Sequence, residues 1–493
     1  MSDVASEMAE IIRSAGIVFI GKISGKGSKF IAQILIANAL LPEEFGILGL
    51  AFTVVSIIGT IALMGIPKAV PRQMSAEDQD PQKVLTAGFF ISIVLGTVAS
   101  AAVFLFPTTV AGIFATPDIA NLLRPFALYL LCFPLAQISI SGLRGYKESK
   151  TATLAREIIG PIVPVFIFVA IDAAGYPLIG AVIYYIAIQF LVGIVATVFI
   201  IRHFKTPFRQ SGVRFSDIKD LISFGWPLAI SANLILLMTN LDVLMIGYFL
   251  GPEPVGHYKI AQPLGQLVLL PLTAFAFLYL PIVTQYYDAG QMDFLGEVFS
   301  ATTKWISLCT FPVVLVLALF PESIILSFYR AEYLPGAAAL AVYSVGMFSR
   351  VFVGPNGAMV EAIGRTRIDL ISAILGVFAN IILNVVLIPP YGIVGAAVAT
   401  GIGFFVYNLS EVVAIYYLIG VHPFSFNTLK PMLLTTVLAI IIRRFVFVDR
   451  IEFFGLIVAG ILISLIELIA IVLTRSISDQ DMVLYNHVIR RLG

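Results

Sequence analysis

The chain has 493 residues, 59% hydrophobic and only 12% charged, with a mean hydropathy of +1.00. A soluble domain carries about twice that charged fraction, so the composition excludes a soluble globule and points to an all-α polytopic membrane protein. The net charge of +1 says nothing about partners, because in a membrane protein the placement of charge carries that information.

The first residues, MSDVASEMAEIIRSAG, are acidic and lack a basic leader with a cleavage motif, so they do not read as a signal peptide. Val4, Met8, Ile11 and Ile12 share one helical face with Glu7 and Glu10 off it, which predicts a short helix on the membrane surface. The first span follows. Its uninterrupted apolar run from Phe30 to Leu41 gives about 18 Å of helix, against a hydrocarbon core of roughly 30 Å. To cross, the helix must begin near Ile17 and take in Lys22, Lys26 and Lys29. These stand at i, i+4 and i+7, and Gln33 extends the row, so all four share a stripe. An ammonium stripe at this depth either snorkels to the headgroups or faces a water-filled cavity where it meets an anion. Lys22 is the best placed to snorkel, whereas Lys29 lies roughly 18 Å inside, near the midplane. Gly21, Gly25 and Gly27 let this helix bend or let another backbone approach.

Further apolar windows lie near 45–67, 84–107, 119–141, 151–172, 177–201, 220–250, 255–281, 298–320, 335–360, 368–388, 392–419, 428–448 and 451–474. With the first span they predict about 14 transmembrane helices. Cys132 and Cys309 fall within spans and read as small core residues, with no disulfide framework or metal set. Asp242 is the chief acidic residue inside a span. It neutralises a lysine, takes up a coupling proton or cation, or bonds locally to Asn240; Glu411 and Glu467 raise the same question. Arg350, in the tenth span, either pairs with Glu361 or a carbonyl beside Pro355, or binds an anion. Lys259 and Arg124 near outer helix ends, and Lys304 beside Trp305 near an inner one, read as snorkelling residues. Asn233 with Asn240, and Asn380 with Asn384, read as interhelical glue. The segment after Arg475 reads as a solvent-exposed surface helix.

Basic residues orient the chain. With the N-terminus cytoplasmic, the inner loops hold Lys68, Arg72, Lys83, Arg144, Lys147, Lys150, Arg156, the basic run from Arg202 to Lys219, Arg365, Arg367 and Arg475. The outer loops hold almost none until Arg330 and the Arg443, Arg444, Arg450 group, which runs against the rule. This asymmetry predicts both termini in the cytoplasm.

An internal repeat is also legible. LPEEFGILGLA at 41–51 aligns with GPEPVGHYKIA at 251–261, and YPLIGAVIYYI at 176–186 with YGIVGAAVATG at 391–401. Both copies begin after an even number of spans, so they insert in the same direction. The expected organisation is an N-terminal six-helix bundle with the surface helix (1–205), a second six-helix bundle (206–420), two additional helices (421–475) and a cytoplasmic tail (476–493). The positions equivalent to Lys22, Lys26 and Lys29 are Ala232, Leu236 and Thr239, so the cationic stripe belongs to the first bundle alone.

The stretch GRTRIDLISAILGVFANIILNVVLIPPYGIVGAAVATGI at 364–402 resembles the eleventh and twelfth helices of polysaccharide and oligosaccharide flippases. That family belongs to the multidrug/oligosaccharidyl-lipid/polysaccharide exporter superfamily. The matching elements are Asn380, Asn384, Pro389, Gly392 and the Gly395-Ala396-Ala397 run, together with LPEEFG at 41–46 and VGHYKIA at 255–261. The resemblance implies a V-shaped pair of bundles around a central cavity that opens alternately to either side. It further implies a cargo of sugars joined through (pyro)phosphate to a polyprenol, carried to the outer leaflet for surface glycan assembly alongside glycan-assembly enzymes. Lys22, Lys26, Lys29, Gln33 and Arg350 would hold the anionic head, with Asp242 as coupling group or counter-charge. The driving force would be the membrane potential, an ion gradient or removal of product. No phosphate loop, zinc spacing or nucleophilic triad is present, so neither a cofactor nor an enzyme is expected. Two rivals remain: a cation-coupled multidrug exporter of the same superfamily, which a lysine stripe suits poorly, and a membrane-bound sugar polymerase or ligase, for which the outer loops are short.

Overall fold

A computed structural model describes residues 2–76, 79–203, 214–447, 450–477 and 481, and all regular structure among them is helical. The chain packs as two units, Met1–Leu237 with Gly251–Gly256, and Met238–Leu250 with His257–Gly493. The division falls inside a helix instead of at the basic loop near 205, and the last two helices belong to the second unit.

The first unit contains α1 (Ser2–Ala39), α2 (Pro42–Ala62), α3 (Ile66–Met74), α4 (Pro81–Leu105), α5 (Pro107–Ile113) and α6 (Asp118–Gly145). Then come α7 (Ser149–Thr153), a π-helical turn (Leu154–Ile159), α8 (Gly160–Ala173), α9 (Pro177–His203) and the first part of α10 (Phe215–Leu250). Helix α1 runs unbroken through the segment expected to form a separate surface helix. Starts are written locally: Pro42 opens α2 while the Glu44 carboxylate accepts the Leu41 N–H at 3.0 Å. Asp80 accepts the Gln82 N–H at 2.9 Å ahead of α4. Ile66, Val70, Leu85, Phe89, Ile138, Leu143, Ile200 and Leu221 form a core that ties α3, α4, α6, α9 and α10 together.

The second unit holds α11 (Pro252–Gln266), α12 (Leu270–Asp288), α13 (Met292–Leu319), α14 (Pro321–Phe328), α15 (Ala337–Phe352), α16 (Asn356–Ala362), α17 (Thr366–Ile419), α18 (Phe426–Phe445) and α19 (Phe453–Leu473). Its core joins Tyr279, Val283, Leu295, Phe299, Met359, Val360 and Ile415. Helix α17 is broken at Gly392, whose φ of 58° and ψ of −140° follow Pro389 and Pro390. Among the described residues, eleven helical stretches are long and apolar enough to cross a membrane, α17 counted once. The remaining windows of the sequence correspond to the second half of α17, to α1 and to the α11–α12 pair. Large apolar side chains such as Phe90 and Val98 on α4, or Phe454 and Leu468 on α19, stand exposed as a lipid-facing surface requires.

Three expectations are corrected by the structure. Lys304 does not snorkel: it is buried and pairs with Asp481, while it also donates to the Ser476 carbonyl at 3.0 Å. Ser476 and Asp481 are therefore buried where a solvent-exposed tail was expected; residues 478–480 and 482–493 of that tail lie outside the described set. A local amphipathic pattern cannot reveal an ion partner so far away along the chain. Cys309 is exposed and Cys132 half-buried, so neither is a core residue.

Candidate functional site

The faces of α1 are set by residue size. Gly21 packs on the Thr153 side chain, and a Cβ at Gly25 would stand 2.6 Å from the Glu157 carbonyl oxygen. Ala32 and Ile36 continue that buried face. Two of the three glycines thus serve close approach rather than bending, whereas Gly27 faces open space. Lys22, Lys26 and Lys29 are exposed beside this seam, with Gln33 half-buried, while Ile23 and Ile31 present exposed apolar surface elsewhere on the helix. The lysine row is therefore distinct from both the packed face and the apolar face.

The seam brings the row to the π-helical turn. Lys29 Nζ lies 3.5 Å from Glu157 Oε2, and Glu157 Oε1 lies 3.6 Å from Arg156 Nε. Arg156 in turn lines a pocket of about 400 Å³ with Lys68, Arg144, Gln137, Ser141 and Asn233, all of the first unit. The sequence had placed Lys68, Arg144 and Arg156 among topology-setting loop charges and had given Glu157 no role. The signal that was available is the run of cations bracketing a Pro-rich span start; their convergence depends on packing.

Arg350 belongs to the second unit. Its guanidinium sits 4.2 Å from the centre of the Phe404 ring, a cation–π contact, and it makes no ion pair with the exposed Glu361. The expected Arg350–Glu361 pairing is thus replaced by a stacked aromatic partner from α17.

Asp242, also in the second unit, is fully buried. The Tyr258 hydroxyl donates to its Oδ2 at 2.6 Å, the Thr400 hydroxyl at 3.1 Å and the Gln262 amide at 3.4 Å, while the Val243 N–H reaches Oδ1 at 2.8 Å. Asn380 donates to the Thr400 oxygen at 3.3 Å, and Asn384 to the Asn380 carbonyl oxygen at 3.1 Å. Asn380 and Asn384 therefore act as polar glue around Asp242. Asn240 instead donates to Thr239 at 3.0 Å, and Lys259, next to Tyr258, lies within electrostatic reach of Asp242. Glu411 accepts from the Asn356 amide at 2.7 Å, and Glu467 is buried on α19. Among the described residues no group of His, Cys, Asp and Glu is arranged to hold a metal ion.

Lipid-facing helices, buried polar networks and a cationic row on a long first helix define a polytopic, all-helical membrane protein of transporter type. The chain belongs to the polysaccharide biosynthesis protein family, whose profile matches residues 11–287, and the MatE profile matches residues 227–386. It is 28% identical over 206 residues to the uncharacterized membrane protein MJ1068 of Methanocaldococcus jannaschii, a match covering 40% of each chain. It is 25% identical over 402 residues to the probable low-salt glycan biosynthesis flippase Agl15 of Haloferax volcanii, covering 80% of this chain and 81% of that one. Its fold superposes on lipid II flippase MurJ in an inward closed conformation with a TM-score of 0.72 at 19% identity, covering 92% of this chain and 98% of that one. The family resemblance carried by residues 364–402 is borne out.

Proposed function

We propose that this protein is a flippase that carries a polyprenyl-(pyro)phosphate-linked oligosaccharide from the inner to the outer leaflet by alternating access, as a transporter and without catalysis. The task is to take a polar, anionic head across hydrocarbon while the polyprenyl tail stays in lipid. Cations along the route offset the desolvation of the phosphates, because an opposite charge is worth more where water is scarce. The observation that carries the reading is the exposed row Lys22, Lys26 and Lys29, set apart from both the packed and the apolar faces of α1. Family membership and a relative named as a probable glycan biosynthesis flippase support it. Extrusion of cationic drugs past the same row would meet like-charge repulsion. Asp242 is proposed as the coupling group, since it is buried among hydroxyl and amide donors.

The test is translocation of a fluorescent lipid-linked oligosaccharide in vesicles. Lys26→Ala combined with Lys29→Ala removes two cations from exposed positions, so folding persists and translocation is lost. Unchanged translocation by a folded double variant overturns the anion-carrying role.

A further inference from the structure

Resting on the flippase reading, we propose that the pocket between Lys68, Arg144 and Arg156 is a docking site for a diphosphate group, with Glu157 as an internal counter-ion that the diphosphate displaces. The three cations come from α3, the end of α6 and the π-helical turn, and they line one pocket of about 400 Å³. That volume falls within the ~300–1,000 Å³ range of small-molecule sites. Arg144 lies within electrostatic reach of Arg156, a like charge, and of Glu157, which offsets part of that repulsion. Three cations lining one pocket point to a role for an anion between them.

Among the described residues, the carboxylate paired with this cluster is Glu157, and it is divided between Arg156 at 3.6 Å and Lys29 at 3.5 Å. Both separations exceed the ~2.7–2.9 Å of a tight charge-assisted hydrogen bond, so Glu157 is held loosely by each partner. Lys68 and Arg144 make no ion pair among the described residues. The cluster thus carries an excess of cations: Glu157 lies by Lys29 and Arg156 and within electrostatic reach of Arg144, while Lys68 lines the same pocket. A diphosphate, charged at each phosphorus and rich in acceptor oxygens, matches this excess better than a carboxylate does, and guanidinium forks bind phosphate bidentately.

The π-helical turn gives a second, independent pointer, because such turns occur frequently at functional sites. Here it carries Arg156 and Glu157 side by side, with Gly25 of α1 against its backbone. Glu157 thus links the pocket-lining Arg156 to Lys29 of the lysine row. When an arriving diphosphate takes Arg156, Glu157 is left with Lys29, and the head is held next to the row it must travel along.

The experiment uses the full chain in nanodiscs of zwitterionic lipid, titrated calorimetrically with inorganic pyrophosphate. Arg144→Gln and Arg156→Gln should each weaken binding about tenfold, and so should the exposed Lys68→Gln, which removes a cation without touching the core. Glu157→Gln should tighten binding several-fold, since the internal competitor is gone. Unchanged binding in the three cation variants, or weaker binding in Glu157→Gln, overturns the proposal. Polyprenyl diphosphate in the disc should displace pyrophosphate, and phosphatidylglycerol should not. Displacement by phosphatidylglycerol overturns the diphosphate site in favour of a general phospholipid headgroup site. Because pyrophosphate binding is read without translocation, failure here is distinguishable from failure of the flippase reading.

Discussion

Four donors converge on the Asp242 carboxylate, and an acceptor-only group is the one species that satisfies them all. Asp242→Asn places an amide N–H₂ against donors, so it should lower stability by about 1–3 kcal/mol in thermal unfolding. If Asp242 couples transport to an ion, the variant should still exchange substrate between leaflets but lose accumulation driven by a proton or cation gradient. Retention of gradient-driven accumulation would return Asp242 to a packing role. The burial of Asp242 was legible from its apolar window, where a carboxylate has nowhere else to go. Tyr258, Gln262 and Thr400 were not legible as its partners, because only packing brings α11 and the second half of α17 against α10. Lys304 makes the same point more strongly. Asp481→Ala leaves a buried ammonium without its carboxylate and should cost about 3–5 kcal/mol, while Lys304→Met with Asp481→Leu should recover most of that loss. Both are read as shifts in the thermal unfolding midpoint.

At the level of elements, the repeat and the glycines converge. A Cβ on Gly46 would meet the Pro252 carbonyl, and a Cβ on Gly256 would meet the Pro42 carbonyl. Positions 42 and 46 align with 252 and 256 in the two copies of the repeat, so the two copies touch reciprocally, each glycine on the other copy's proline. The alignment was legible from LPEEFG and GPEPVG, but the reciprocity was not, since sequence similarity says nothing about which copy meets which. Gly46→Ala and Gly256→Ala should therefore be damaging to a similar degree, because a backbone carbonyl cannot yield as a flexible side chain can. Within α1 the contrast is sharper. Gly25→Ala collides with the Glu157 backbone and should unseat α1 from the π-helical turn, whereas Gly27→Ala meets nothing within 4 Å. The latter should stabilise by about 0.5–1 kcal/mol through helix propensity alone. Equal behaviour of the two in thermal unfolding would refute the close-approach role assigned to Gly25. The π-helical turn had no signature in the apolar window 151–172, because an extra residue in a turn leaves hydropathy unchanged.

For the molecule as a whole, orientation decides the direction in which cargo moves, and it rests on the distribution of Lys and Arg. Two of the arginines that run against that distribution, Arg443 and Arg450, are accommodated locally. Arg443 donates through Nε to the Leu319 carbonyl at 3.1 Å and lies over the Phe320 ring at 5.3 Å, and Arg450 pairs with Glu322 at 2.8 Å. Cations bound by carbonyls, a ring and a carboxylate contribute little as free topogenic charge, so the bias of the remaining loops is expected to set the orientation. The pocket cations Lys68, Arg144 and Arg156 all belong to loops or helix ends that this bias would put on the inner side, from which the proposed flippase would load its cargo. Placing single cysteines at the exposed positions Glu253 and Arg365, in a chain with Cys132 and Cys309 replaced, separates the two sides. A membrane-impermeant maleimide should label Glu253→Cys in intact cells and Arg365→Cys only after permeabilisation. The opposite pattern would put the basic pocket on the outer face, and a site there could receive an outgoing diphosphate but could not load it.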